Sequence, residues 1–201
     1  MAAFHDPLIE AGCKVDILDL HAEGFDPRFT AEDHAHFWGG PIPAEISAAQ
    51  TRVNSADRLA FIFPVYWWGM PSLMKGWIER VFTQGWAYQF GDGVEDRGKG
   101  AKSSLLGNKP TILIGIAGSK QSTYEKYGYD AAMRTQIDVG TFAYCGIKDV
   151  QSHLIFDVEG DHNADKRTAG LERTRHIASA FIARDRTPHD AKAEHLGIKV
   201  V

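Results

Sequence analysis

Hydrophobic positions along the chain fall into two alternating kinds of run. Short stretches rich in β-branched and apolar residues predict strands at Lys14–Leu18, Leu59–Phe63, Thr111–Gly115 and Ser152–Phe156. The second and third are almost continuously hydrophobic, the pattern of a strand buried on both faces. Longer stretches between them repeat apolar residues at helical spacing. Ile46, Ala49 and Val53 make one stripe over Ala44–Asn54, and Met133, Ile137 and Phe142 another over Ala131–Tyr144. Leu73, Trp77, Ile78, Val81 and Phe82 recur on a helix that starts at Pro71, where the missing N–H costs nothing. Leu171, Ile177, Phe181 and Ile182 mark a last helix over Asp165–Ala183. Strands alternating with helices predict an α/β fold with an open parallel sheet and helices on both faces.

Composition narrows the class. A chain of 201 residues is long enough for one domain that buries about 70% of its unfolded surface. Lys and Arg number 22 against 26 Asp and Glu, with no basic stripe, which predicts no nucleic-acid partner and no anionic membrane surface. Cys13 and Cys145 form no CxxC pair and suit a reducing compartment. No run approaches the roughly 18 apolar residues of a membrane span, and His5, Asp6 and Pro7 break up any signal peptide. These features predict a cytoplasmic protein with no membrane insertion. The domain is expected over residues 1–183, with a polar surface excursion at Gly91–Asn108. Residues 184–201 read as a polar, loosely attached tail, whose short apolar end at Leu196–Val201 is able to dock on a neighbour.

Aromatic residues make up 11% of the chain and crowd into Phe61–Phe90. The segment FIFPVYWWGMPSLMKGWIERVF joins a strand, a proline-bounded loop and a helix. Ligands of open parallel sheets bind where strand ends meet such loops. Tyr66, Trp67 and Trp68 on the Pro64–Gly69 loop have two readings: core residues at a strand end, or a binding surface of contiguous exposed aromatics. His21, His34 and His36 form no compact ligand set, so no metal site is predicted. Cys145, at the end of an apolar helix, reads as a buried inert thiol.

The string Pro64-Val65-Tyr66-Trp67-Trp68-Gly69-Met70-Pro71, then Lys75-Gly76-Trp77-Ile78-Glu79-Arg80-Val81-Phe82 and Gly85-Trp86-Ala87-Tyr88, resembles the NAD(P)H:quinone oxidoreductase family of flavodoxin-like flavoproteins. That family includes mammalian quinone reductases, bacterial drug-activity modulators and ancillary subunits of potassium-efflux systems. Asp19-Leu20-His21-Ala22-Glu23-Gly24-Phe25-Asp26-Pro27, and Ala49-Gln50 with Ser55-Ala56-Asp57, extend the likeness, which covers residues 8–183. By position it implies that Pro64, Val65, Tyr66, Trp67 and Trp68 lie along a flavin ring, with Gly118 and Ser119 as a second loop and Gln50 near the cofactor pyrophosphate. Ser119 stands where the family commonly has a second glycine. Tyr124 matches a tyrosine that accommodates the charge of the reduced flavin. Its usual histidine partner is replaced by Tyr129-Asp130, so Asp130 is the candidate at that position. Trp67, Tyr88 and Phe90 match aromatic residues of the substrate pocket, the last two reached from a partner subunit.

The family's opening strand and phosphate-binding turn have no counterpart ahead of the first helix, whose remnant is expected to be capped at Asp6-Pro7 and ended by Gly12. In the order 2-1-3-4-5 the missing strand is central, between those at Lys14 and Leu59. The sheet is therefore expected to lack its first central strand, leaving buried N–H and C=O groups unpaired at about 1–3 kcal/mol each. A start codon assigned too far downstream is the favoured explanation, with direct pairing of the flanking strands or a strand from another chain as alternatives. Without the phosphate anchor, this chain is expected to hold flavin weakly or not at all, and a version with upstream coding sequence restored to hold it well.

The resemblance implies two-electron reduction of quinones or related planar acceptors by NAD(P)H, through a ping-pong relay on FAD, or on FMN as the alternative, in a homodimer. Rival readings are a regulatory nucleotide-sensing subunit of a transporter and a truncated flavin-free paralogue.

Overall fold

The computed structural model describes residues 1–89, 106–107, 109–184 and 197–200. The predicted strands form with ends shifted by one or two residues: β1 Lys14–Ile17, β2 Arg58–Pro64, β3 Thr111–Ile116 and β4 Val150–Ile155. A fifth strand, β5 Gly197–Val200, completes one parallel sheet in the order β1-β5-β2-β3-β4.

The slot expected to stand open is filled. β5 sets Gly197 opposite Lys14 and Val200 opposite Ile17 on one side, and Ile198 opposite Arg58 on the other. Leu18 N–H continues the ladder by donating to Val200 O at 2.9 Å. Two expectations are thereby corrected. The position between β1 and β2 is occupied although no strand precedes the first helix, and the end of the supposed polar tail is an internal strand of the sheet, paired on both sides. Its composition hid it, because Gly-Ile-Lys-Val has too few apolar residues to register as a strand. The unpaired edges of β1 and β2 nevertheless make strand addition favourable there.

Two helical layers cover the sheet. One face carries α1 Ala2–Glu10 and α7 Ala164–Ala183, whose Phe4, Leu8, Ile177 and Phe181 pack on Ala60, Ile112, Ile114 and Val200. α1 starts before Asp6 and holds Pro7 within it, so Asp6-Pro7 is not its cap. Gly12, at φ 81°, ends it as expected: its N–H donates to Ile9 O and that of Cys13 to Leu8 O, which satisfies the last carbonyls of the helix.

The opposite face carries α2 Ala31–Phe37, α3 Ala44–Asn54, α4 Ser72–Val81, α5 Gln121–Tyr127, α6 Tyr129–Met133 and a π-helix over Arg134–Ala143. Its core sets Ile46, Trp77, Val81 and Phe142 against Leu59, Phe61, Phe63 and Leu113. The helix expected at Ala131–Tyr144 is α only in its first part. Closing bonds five residues apart, as in Tyr144 N–H to Val139 O, brings residues so spaced onto one face, and Ile137 and Phe142 are both buried. Among the described residues no helix is long and apolar enough to cross a membrane. Most of Gly91–Asn108 lies outside the described residues, but Leu106 is fully buried in the core.

α4 fixes the loop that follows β2, and Gly76 fixes α4. A Cβ at Gly76 would stand 2.3 Å from Pro27 O and 2.5 Å from Pro27 Cβ. Gly76→Ala is expected to cost about 1–3 kcal/mol by overpacking, read as a lower urea midpoint with an unchanged slope.

Candidate active site

β2 and β3 run side by side and end together, Pro64 opposite Ile116. Val65 N–H donates to Ile116 O at 2.8 Å, so the loops that follow emerge next to each other at the carboxyl edge of the sheet. The first is a tight reversal. Tyr66 N–H donates to Gly69 O at 3.1 Å and Gly69 N–H returns to Tyr66 O at 3.0 Å. Between them Trp67 and Trp68 hold φ of 47° and 61°, the left-handed region that such turns usually fill with Asn and Gly. Bulky residues there store about 1–3 kcal/mol each, and strain of this kind clusters at functional sites.

The two tryptophans part company. Trp68 is half-buried, stacked on Tyr129 at 3.9 Å between centroids with a 14° tilt, and meets Tyr124 edge-on at 5.3 Å. Trp67 is 95% exposed and Tyr66 60%, so part of the bend is core and part is open surface. The N–H groups of Trp67 and Trp68 make no hydrogen bond among the described residues. A flat indole face beside two unpartnered donors suits a planar ring with acceptors along one edge.

Gly118 and Ser119 form the second loop. It is held by a third, which leaves β4: Ala117 N–H donates to Ile155 O, Val158 N–H to Ala117 O and Asp157 N–H to Ser119 O. Tyr124, on α5, is 2% exposed, and its ring touches Trp68 and Phe156. Burial pushes its phenol above the usual tyrosine range. Tyr124 and Asp130 line one cavity of about 190 Å³ between β3, β4 and the π-helix, together with Ser152 and His153. Burial lowers the His153 imidazole, and the nearby Arg173 and Arg134 lower it further.

Not every expected residue joins this cluster. Gln50 is buried on α3, and its amide donates to Val81 O and Thr83 Oγ1, both at 2.9 Å. These lie at the end of α4, so Gln50 ties α3 to α4 away from the bend that precedes that helix. Tyr88 follows the same end of α4. It lines a groove with Phe29, Phe37, Phe82 and Tyr144, its ring 5.4 Å from that of Tyr144. Phe90 lies outside the described residues. Cys145 is buried, and desolvation pushes its thiol up to about 11. Of the histidines, His34 accepts from Trp38 Nε1 at 3.3 Å and His36 lies 3.0 Å from Gly40 O.

Sequence reasoning missed Glu159. A Cβ at Gly118 would stand 2.3 Å from the Glu159 carboxyl carbon and 2.5 and 2.7 Å from its oxygens, so the carboxylate rests on the glycine. The one available signal was Gly118 itself, a glycine outside the left-handed region, whose missing side chain is explained by the neighbour it makes room for.

A profile described as Flavodoxin-like fold matches residues 1–178. An uncharacterised NAD(P)H oxidoreductase of Haemophilus influenzae is 31% identical over 149 residues, which cover 74% of this chain and 70% of that one. Ribosyldihydronicotinamide dehydrogenase (quinone) of Pongo abelii is 30% identical over 174 residues, 77% of this chain and 72% of that one. Among solved structures, the NAD(P)H:quinone oxidoreductase from Methanothermobacter marburgensis shares the fold with a TM-score of 0.77 at 24% identity, covering 92% of this chain and 88% of the other. The bend at the carboxyl edge of a parallel sheet thus occurs in a chain that belongs to the NAD(P)H:quinone oxidoreductase family of flavodoxin-like proteins.

Proposed function

We propose that this chain is a flavin-dependent NAD(P)H dehydrogenase acting on quinones. The observation that carries the proposal is the Trp67–Trp68 turn, a strained backbone whose two N–H donors have no partner among the described residues and lie beside an exposed indole. Pro64, Val65 and Tyr66 lead into that shelf, Trp67 and Trp68 supply its donors, and Gly118 and Ser119 wall its second side. These residues fit an isoalloxazine ring. A flavin held there, FAD or else FMN, would supply two-electron redox chemistry between NAD(P)H and a quinone that share one slot in turn.

The residues of the chain do the rest. Tyr124 is a phenol, protonated at neutral pH as any tyrosine is and made still less acidic by burial, so its hydroxyl serves as a donor to negative charge developing nearby. Asp130 brings an acceptor to the same cavity and opposes a build-up of charge beside it. The open face of Trp67 offers planar substrates a stacking surface. A homodimer would bring Tyr88 and Phe90 of one protomer to the slot of the other. Tyr88 supports this by sitting in an apolar groove away from its own bend.

Trp67→Ala is expected to raise the flavin dissociation constant at least tenfold while the urea midpoint stays unchanged, because so exposed a side chain contributes little to folding. Fluorescence titration of wild type and variant checks this. In steady-state assays across a quinone series, double-reciprocal lines should be parallel, and intersecting lines would count against the shared slot.

A further inference from the structure

The loop after β4 is tied down from several sides while the carboxylate of Glu159 has no partner among the described residues. Buried Asn163 donates from Nδ2 to Glu159 O at 2.6 Å and to Asp157 Oδ1 at 3.2 Å. Arg167 donates to Val158 O at 3.2 Å and to Gly160 O at 2.6 Å. Asp157 and Gly160 take the left-handed φ values of 59° and 82° that the path demands. Ladder bonds to Ala117 and Ser119 then fix this loop against the second loop of the site. The side chain carried by the fixed backbone makes no hydrogen bond or ion pair among the described residues. It lies against Gly118, where any larger residue would displace it. A rigid mount for an unpaired acceptor is an arrangement that binding sites need and folding does not.

We propose that Glu159 is a positioning and tuning residue, whose carboxylate accepts a hydrogen bond from the ring N–H of a flavin pyrimidine edge held between the Trp67–Trp68 turn and Gly118. This rests on the flavin reading above. A carboxylate there fixes the ring in plane, since that edge alternates acceptors with one donor. It also disfavours the extra negative charge of the reduced ring, because like charges repel at short range. Glu159 therefore makes the bound cofactor a stronger reductant. The backbone N–H groups of Trp67 and Trp68 act in the opposite sense, as donors, so the two sides of the slot set the balance between them.

The test is a spectroscopic comparison of the full chain with Glu159→Gln and Glu159→Ala, measuring the flavin dissociation constant and the midpoint potential of the bound flavin. Glu159 is exposed, so neither variant should disturb folding. Glu159→Gln keeps an acceptor and loses the charge. Its affinity for oxidised flavin should stay within about threefold of wild type, while the reduced form gains about tenfold, an upward shift of about 30 mV for a two-electron couple. Glu159→Ala should show the same shift together with about tenfold weaker binding. If wild type binds flavin and both variants match it in affinity and potential, the Glu159 assignment is wrong and the flavin reading stands. If wild type binds no flavin, both fail.

Discussion

Removal of residues 197–201 is expected to abolish the cooperative unfolding transition of the protein. β5 is four residues long, yet it pairs with β1 on one side and β2 on the other. Neighbouring strands lie about 4.8 Å apart, so losing the strand between them separates β1 and β2 by about 9–10 Å, too far to pair directly. Their inward N–H and C=O groups would then be unpaired within a closed layer, at about 1–3 kcal/mol each. Val200, fully buried against the α1 and α7 face, would leave its place as well. A handful of such losses matches the whole margin of about 5–15 kcal/mol by which domains are stable. Urea unfolding followed by circular dichroism should show a broad, non-cooperative change for the shortened chain. A sharp transition at the wild-type midpoint would mean that β5 contributes nothing to the sheet.

Arg80→Met should produce the largest loss of stability from a single substitution outside the site, about 3–5 kcal/mol. Arg80 is 2% exposed on α4, and its guanidinium donates to the Asp33 carboxylate, to Asp26 O and to Glu45. Asp33 is also buried, and it closes the capping box of α2 with Thr30. Burial alone would raise the Asp33 carboxyl, but the hydrogen bonds from Arg80 and Thr30 outweigh it and hold the group below the usual range. Taking the arginine away leaves a desolvated carboxylate with only the Thr30 bonds. Adding Asp33→Asn to Arg80→Met should recover much of the loss, because a neutral amide still accepts from the Thr30 N–H.

The pH dependence follows from the same shift. A carboxyl whose folded pKa is depressed adds stability that is present above its unfolded value, about 3.9, and is lost as pH falls through the folded value. Wild type should therefore lose this contribution only in strong acid. Chemical unfolding at neutral and acidic pH checks both statements. An Arg80→Met midpoint within about 1 kcal/mol of wild type would show that the cluster is not what binds α2 to α4.

The legible parts of this fold are those where burial acts on a continuous stretch. Leu59–Phe63 and Thr111–Gly115 are apolar on both faces because helices cover both, so their strands can be read directly. β5 could not be read this way. Four residues with a lysine among them carry no periodic signal, and their place depends on edges left by segments far away in sequence. The π-helix escaped for another reason: the pattern of Met133, Ile137 and Phe142 suits an α-helix almost as well, and only the bonding distinguishes the two. α2 escaped as well: the Thr30–Asp33 capping box is too short a signature to stand out in sequence without the buried partner Arg80.

The site divides in the same way. Pro64 to Trp68 lie in one continuous motif, Gly118 and Tyr124 follow the next strand, and the fold brings them to one edge of the sheet. What Gln50 bonds to could not be read from its position in the sequence: its amide donates to the end of α4, away from the bend. Glu159 was invisible because its meaning lies in a contact with Gly118 that no local pattern encodes.

Titration of the purified chain with FAD and with FMN, in parallel with Trp67→Ala and followed by NAD(P)H and then a quinone without air, puts the shelf beside Trp67 and Trp68 to the most direct trial. Saturable binding of one flavin per slot, weakened at least tenfold by Trp67→Ala, with colour bleached by NAD(P)H and restored by quinone, is the result this account predicts. Absence of saturable binding by either flavin, or binding that Trp67→Ala leaves untouched, would contradict it.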